Sequence, residues 1–488
     1  MVYDLAIIGG GINGAALMRE AAARGAQVIL LEKADFGSGS TSRSSRLLHC
    51  GLRYLAPGSS MSRFLTSPDQ LTRALRTVQR SMRARNALVA ERPHLLKPIR
   101  MTFPIYEGDT YRGWQIDAAF AVLRHFGRGG APLDYRRYRP DRLGEALPFV
   151  DCLPKRKPLR HVIAYTEYQF DWPERLTVDM VLEAEMLGAE ARNYCPVTAI
   201  SETGDIWRLD TPEGAVEAKA VANLAGPWVD KVAGLEERAH PRMVNTTRGS
   251  HLVMQLGLEF RGHGVMTMSG LDHPFYCFPW RDRHFIGPTE TASTENPDTV
   301  RPEAAEKAAL LADLKGQLPG LDVDIGDTAL GWAGLRPLTH EPRTMMAARN
   351  RVIHQLGRAG GPKFVALTNG SLGAHAITAD DISDLLGLSR AQRREPPVVG
   401  PEISPNDTHV RHLADVVWRR RGRVWDADCG KADAASEVAA LAGQLGWSAA
   451  RIDEELWHFQ RETAFFRYPG SDEVLPQEPL ERPDSKRQ

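Results

Sequence analysis

Cysteine is scarce in this sequence. The five present, Cys50, Cys152, Cys195, Cys277 and Cys429, lie far apart and form no CxxC pair. That usage excludes a disulfide scaffold, fits reduced thiols, and offers no cluster for a metal. Charge of either sign is not in excess: 61 Lys and Arg balance 61 Asp and Glu. The balance argues against a general nucleic-acid binder. No apolar run approaches the roughly 20 residues that cross a bilayer. The first residues pass from Met1 through Tyr3 and Asp4 into an apolar strand, with no basic stretch or cleavage site. A cytoplasmic protein is therefore expected, free to lie on the inner face of the membrane. No internal repeat is visible. What remains is ordinary for a globular chain, 42% hydrophobic and 25% charged, and 488 residues are enough for two or three domains.

The N-terminus is the most informative part. Leu5-Ala6-Ile7-Ile8 is a short continuous apolar run, as in a parallel strand buried on both faces. Gly9, Gly11 and Gly14 follow as GxGxxG, an alanine-rich helix runs over 15–23, and Val28-Ile29-Leu30-Leu31 leads to Glu32. In such a unit the first glycine permits the tight turn, the second lets backbone approach a pyrophosphate, and the third allows close helix–strand packing. The helix N-terminus offers N–H groups and partial positive charge to the diphosphate. Glu32 is placed to accept from ribose hydroxyls, and a carboxylate there disfavours a 2′-phosphate. The chain then leaves for a Gly/Ser/Thr-rich loop over 37–45 instead of continuing in βα repeats. Pieces of the nucleotide domain return at 223–228 and 369–370. That interruption favours FAD over NAD.

Further on, 71–100 reads as a basic helix carrying Arg73, Arg76, Arg80, Arg83 and Arg85, a face that anionic lipid would suit. A second helix is expected over 114–126, with Trp114, Ile116 and Phe120 raising the membrane reading, and another over 178–188. A strand ends at 221–224. Residues 275–280 and 285–287 read as a hairpin around Arg281-Asp282-Arg283. A buried strand over 364–367, a glycine turn and a helix over 376–386 follow. Pro396-Pro397 marks a linker into a helical segment over 410–466.

The string Ser44-Ser45-Arg46-Leu47-Leu48-His49-Cys50-Gly51-Leu52-Arg53-Tyr54-Leu55 closely resembles the flavin loop of the FAD-dependent, quinone-linked glycerol-3-phosphate dehydrogenases. Matches follow in order at Ala225-Gly226-Pro227-Trp228, Arg248-Gly249-Ser250-His251, Pro279-Trp280 with Ile286-Gly287 and Thr289, and Gly334-Leu335-Arg336-Pro337-Leu338. Val410-Arg411 and Trp418-Arg419-Arg420 extend the likeness to about residue 465. The resemblance implies an α/β architecture: a discontinuous Rossmann-type FAD-binding domain, an antiparallel-sheet substrate domain and a C-terminal helical domain. The oxidoreductase region would span 1–395, with cofactor parts at about 1–60, 170–235 and 330–390 and substrate or cap parts at about 61–169 and 236–329. The helical domain would span 396–470, and a disordered tail 471–488.

Carried over by position, the resemblance assigns Ser42, Ser44, Ser45, His49, Val197, Ala225, Gly226, Gly334, Gly370, Ser371 and Leu372 to the flavin, beside the N-terminal glycines and Glu32. It assigns Arg53, Tyr54, His251 and Arg336 to the substrate pocket. The chemistry agrees: a forked, permanently charged arginine suits an anionic substrate, and a histidine suits the hydroxyl proton while hydride moves to flavin N5. The implied activity is oxidation of sn-glycerol 3-phosphate, or a close anionic alcohol, with electrons leaving to quinone or another acceptor. The helix after Gly373 would aim its positive end at the N1–C2=O edge of the flavin.

The chain departs from this family after the late strand. Where the family has Gly-Gly-Lys-Leu-Thr-Thr-Tyr-Arg, it reads Asn369-Gly370-Ser371-Leu372-Gly373-Ala374-His375-Ala376. The lysine that helps hold substrate phosphate is Ser371 and the later arginine is Ala376; His375 is a partial substitute at best. Glu290 stands for an aspartate, and Cys50 for a glycine beside the flavin. Two other readings stay open: a flavin enzyme acting on a 2-hydroxy acid or amino acid, and a flavin-binding partner protein without catalysis. The oligomeric state is open too, a homodimer included.

Overall fold

The computed structural model describes residues 1–468 except 56–66, 143–146, 156, 269–273, 324–329, 343–345, 349, 403–407 and 427. The predicted tail over 471–488 lies outside the described residues. Leu5–Ile8 is buried throughout, and its neighbours Val28–Leu31 and Ala220–Asn223 are parallel to it and equally buried. They are the middle of a six-stranded sheet running Val352–Gln355, Lys363–Thr368, Ala220–Asn223, Leu5–Ile8, Val28–Leu31, Glu190–Arg192. Only the edge strand Val352–Gln355 is antiparallel to its neighbour. The strands from 220 and 363 come back beside the first one, so the nucleotide unit is discontinuous. Helix Ile12–Ala23 covers one face, packed with Pro173–Met186 and His375–Leu386. Continuous apolar runs form these strands because helices and a second layer leave no face wet.

The second layer is an eleven-stranded mixed sheet. Its path is Met346–Ala348, Gly331–Glu341, Val244–Met254, Arg283–Gly287, Pro274–Trp280, His263–Met268, Leu96–Tyr106, Leu159–Phe170, Leu47–Leu48, with two short strands off it. All these pairs are antiparallel except His263–Met268 beside Leu96–Tyr106. The predicted hairpin is there, as Pro274–Trp280 with Arg283–Gly287. Gly331–Glu341, grouped with the cofactor parts from its sequence, pairs with Val244–Met254 in this sheet, yet it also lines the cavity described below.

The basic helix spans Pro68–Glu91 and does not continue to 100. Pro93 intervenes, and Leu96–Tyr106 joins the large sheet instead. Arg73, Arg76 and Arg83 are exposed, whereas Arg85 is buried, with Nη1 donating to the Ala131 carbonyl at 2.9 Å. Ile116 and Phe120 pack inside the core and are not available to lipid; Trp114 is 61% exposed. Among the described residues no helix is long and apolar enough to cross a membrane.

After 408 the chain is helical, with Asp415–Arg420 wound as a π-helix, then Lys431–Leu445 and Ala449–Thr463. Two buried charge clusters fasten this part to the flavin loop. Arg46, at φ 57°, donates to Glu174 Oε1 (3.1 Å) and to the Ser42 carbonyl (3.0 Å). Its guanidinium lies 4.6 Å from the rings of Trp280 and Trp425 and 5.6 Å from Trp332. Asp35, just after the second strand, receives Arg419 and Arg420, and its acidity is raised by their charges against the opposing effect of burial.

Replacing Arg46 by Met leaves Glu174 buried without its cation. A loss of about 3–5 kcal/mol is expected, since the remaining charge is uncompensated. Denaturant unfolding of the flavin-free protein measures it; a loss under about 1 kcal/mol, the range of an exposed pair, would show that the cage does not hold the loop.

Candidate active site

A cavity of about 900 Å³ opens between the two sheets, at the upper end of the range for small-molecule sites. Its floor is the glycine unit. Gly9 has φ 108°, and a Cβ there would lie 2.8 Å from the Leu224 carbonyl oxygen; one on Gly14 would lie 1.9 Å from the Gly9 oxygen. Gly9 thus makes the turn and Gly14 the close packing, while a Cβ on Gly11 would lie 3.3 Å from the Thr41 hydroxyl. The first intrahelical bond is Ala15 N–H to Gly11 O (3.0 Å), so the amides of residues 12–14 precede it. Thr41 Oγ1 accepts that of Ile12 at 3.0 Å.

Glu32 lines the cavity, with Oε2 accepting from Gly10 N–H (2.6 Å) and Oε1 from Ala34 N–H (2.8 Å). Burial pushes its carboxyl up, and those two amides oppose the shift. Each oxygen retains a second lone pair for a ribose hydroxyl.

Ser44, Ser45, His49, Val197, Ala225, Gly226, Gly334, Gly370, Ser371 and Leu372 all line the cavity, as do Tyr54, His251 and Arg336. Arg53 sits in the short helix Leu52–Leu55, but its side chain lies outside the described residues. Ser42 is the exception. It is fully buried and its hydroxyl donates to the Gly39 carbonyl at 2.9 Å, so the loop's own backbone consumes it. Ser40 and Thr41 line the cavity in its place. Cys50 is buried behind the loop, its amide held by the Glu167 carboxylate at 2.9 and 3.1 Å. Burial moves that carboxyl up to about 7.

Strand register places His251 and Arg336 on one face of the large sheet. Thr247 pairs with Arg336, Gly249 with Gly334, and His251 with Trp332; alternate residues share a face. The glycine pair keeps the centre open. A Cβ on Gly249 would lie 2.2 Å from Arg336 Nη2, so the glycine makes room for the guanidinium. Arg336 donates to the Thr289 carbonyl at 3.3 and 3.4 Å. Thr289 is itself fixed: its hydroxyl donates to Glu306 (2.9 Å) and accepts from Ser250 N–H (2.8 Å).

His251 is buried, stacked on Trp332 at 4.7 Å, with Nε2 2.9 Å from Ser45 Oγ. Nδ1 has no hydrogen-bond partner among the described residues. Burial, then the charges of Arg336 and Arg46, hold the imidazole well below its ordinary range, so it is neutral at pH 7. His375, the suggested substitute cation, is buried; Nδ1 is 2.7 Å from the Leu372 carbonyl oxygen, and burial lowers its pKa too. It adds no positive charge.

Among the described residues the lining carries Lys33, Arg43, Arg80, Lys231, Arg336 and Arg351, with the enclosed Arg46 beside them, against the single carboxylate Glu32, in a chain of zero net charge. Asn13 Oδ1 and Trp228 Nε1, also in the lining, are buried and have no hydrogen-bond partner among the described residues. A long cationic cavity floored by a glycine turn, with unpaired polar atoms along it, fits a dinucleotide diphosphate. Sequence motifs single out the glycines, His251 and Arg336 of this lining; Asn13, Thr41, Arg80 and Arg351 join it only through the fold.

Fold and site define a flavin-dependent oxidoreductase. Residues 4–379 match the family described as FAD dependent oxidoreductase, and the chain belongs to that family, which makes FAD its cofactor. It is 26% identical over 420 residues to a glycerol-3-phosphate dehydrogenase of Synechocystis, covering 81% of this chain and 71% of that one. With the aerobic glycerol-3-phosphate dehydrogenase of Bacillus subtilis it shares 29% over 348 residues, covering 70% of this chain and 59% of the relative. The structure of the glycerol-3-phosphate dehydrogenase from Bacillus halodurans complexed with FAD superposes with a TM-score of 0.68 at 19% identity, covering 95% of each chain. Glycine oxidase from Geobacillus kaustophilus shares the fold at a TM-score of 0.55 and 22% identity, covering 84% of this chain and 99% of that one.

Gly14→Ala is expected to yield protein without bound flavin, because helix Ile12–Ala23 must move off the Gly9 turn. The ratio of flavin to protein absorbance after purification measures it; a normal ratio would mean that the turn yields without loss of the site.

Proposed function

We propose that the chain oxidises sn-glycerol 3-phosphate, or a closely related anionic alcohol, to the ketone and passes the electrons to quinone or another acceptor. The observation that carries this reading is His251 and Arg336 on one sheet face, with the Gly249–Gly334 pair between them, before a cavity whose described lining has more cations than acids. The curated relatives, dehydrogenases of glycerol 3-phosphate by name, support the substrate. FAD supplies the hydride acceptor when bound.

The protein's part is binding, orientation and proton handling. Gly9, Gly11, Glu32, Ser40, Thr41 and the turn at 224–226 would hold the cofactor, and Ser44, Ser45 and Gly334 line the way to the sheet face. Arg336 hydrogen-bonds the substrate beside the imidazole, at a guanidinium already oriented by the Thr289 carbonyl. His251 accepts the hydroxyl proton at a ring nitrogen. Trp332 fixes its plane and Ser45 holds Nε2 by hydrogen bond. Its depressed pKa, set first by burial and then by the charges of Arg336 and Arg46, guarantees the neutral form that can take a proton.

A carboxylate substrate, from a 2-hydroxy acid or amino acid, is the second reading, favoured by the uncharged Ser371 at the cavity wall. Anaerobic bleaching of the flavin separates the two: glycerol 3-phosphate should bleach it, and lactate, amino acids and glycerol should not. Bleaching by a hydroxy acid or amino acid alone would install the second reading. A flavin that none of them reduces would favour a binding protein without catalysis. Arg336→Gln should lower kcat/KM at least about 100-fold, as for loss of a charged, hydrogen-bonded partner.

The pH dependence has a definite sign. Neutral His251 is the active form and its pKa lies below the usual 6.5, so kcat/KM should hold down to pH 6.5 and fall only in more acid solution. His251→Asn should abolish that limb. An acid limb already complete above pH 7 would contradict the role given to the imidazole.

A further inference from the structure

We propose that Arg351, seconded by Arg80, is the anion-receiving end of this cavity, where the phosphate or carboxylate of the substrate is held. The inference rests on the reading that the substrate is an anionic alcohol. It deepens that reading by separating the anion's seat from the hydroxyl's.

Both arginines line the cavity, and they come from different elements: Arg351 immediately before the edge strand Val352–Gln355, Arg80 from the helix Pro68–Glu91. They converge on one carboxylate, Asp381 in helix His375–Leu386. Arg80 Nη1 approaches Asp381 Oδ2 at 3.4 Å and its Nη2 pairs with Oδ1, while Arg351 Nη2 pairs with Oδ2. Arg351 Nη1 donates to Thr378 Oγ1 at 2.9 Å, and Thr378 in turn donates to the Ala374 carbonyl in the cavity wall. The guanidinium is thereby fixed one turn into the helix whose first residues line the cavity.

The acid closest to both arginines is Asp381. The adjacent Asp380 is committed elsewhere, to Arg24 and Arg390 at 2.6 and 2.7 Å, and lies 3.9 Å from Arg80. Two guanidiniums therefore share one close carboxylate, while Asp384 and Glu20 also take up Arg24, Arg390 and Arg393. Arg80 and Arg351 line the cavity and Asp381 lies behind them. Their side chains are 27% and 45% exposed, so donors remain for an incoming oxyanion. Partly exposed ion pairs of this kind are worth little, so an anion can draw the arginines toward itself at small cost. Arg336 is engaged beside Gly249 by the Thr289 and Arg248 carbonyls.

Two assays on FAD-loaded protein test this. In steady-state oxidation of glycerol 3-phosphate, Arg351→Gln should raise KM about tenfold or more and leave kcat within about threefold, the pattern of lost uniform binding. Arg351→Lys should recover part of the loss, and Arg80→Gln should show a smaller rise. In the second assay inorganic phosphate is titrated against the flavin absorbance. It should bind the wild type and bind Arg351→Gln about tenfold more weakly, whether or not glycerol 3-phosphate is a substrate. If the wild type is not reduced by glycerol 3-phosphate, the reading of function fails and the phosphate titration still decides this inference. Equal phosphate binding by wild type and Arg351→Gln would overturn it, as would a fall in kcat without a rise in KM.

Discussion

The burial of one guanidinium governs much of this structure. Arg46 is fully enclosed, and a charge so placed must be paired and stacked or it unfolds its surroundings. Glu174 pairs it; Trp280 and Trp425 lie against it, with Trp332 a little farther off. Those partners come from the helix after the large sheet's long strand, from two strands of that sheet, and from the C-terminal helical part. Satisfying Arg46 brings four separate stretches together, and Ser45, its chain neighbour, is thereby set against His251. The C-terminal region is for this reason a support of the active site, and Trp332, which stacks on the imidazole, also belongs to the cage.

Around that anchor the two sheets divide the work. The parallel sheet supplies a tight glycine turn and a helix N-terminus, features that recognise a diphosphate through backbone. The antiparallel sheet supplies side chains, two of them on one face with a glycine pair between. Residues in a strand alternate in direction, so a sheet can set a histidine and an arginine toward one space and bury Arg248 against Glu306 on the other side. The glycines at 249 and 334 are as functional as the charged groups, since any side chain there would displace Arg336 or the Arg43 backbone.

Electrostatics follows the same division. A chain of zero net charge concentrates cations in its cavity and spends its acids in ion pairs behind the wall, as Asp35, Glu174 and Asp381 do. The cavity field favours anions, and the same field, with burial, keeps His251 neutral.

Local patterns in the sequence determined the nucleotide unit, because strand, glycine turn, helix and Glu32 are adjacent in the chain and each glycine's role is a short-range steric matter. They also determined the hairpin at 274–287, the late strand and helix, and the candidacy of His251 and Arg336 within longer matched strings. Where such patterns misled, a tertiary contact had overridden them: the residues after Pro93 joined a sheet whose other strands lie far along the chain, and Arg85, one of a row of helical arginines, turned inward to carbonyls at 131 and 166. The hydroxyl of Ser42 was claimed by its own loop, which no spacing could show. Arg80 and Arg351 lie 271 positions apart and meet only because two helices and a sheet edge converge on Asp381. Which cations face the cavity depends on such long-range convergence, and tertiary structure alone decided it.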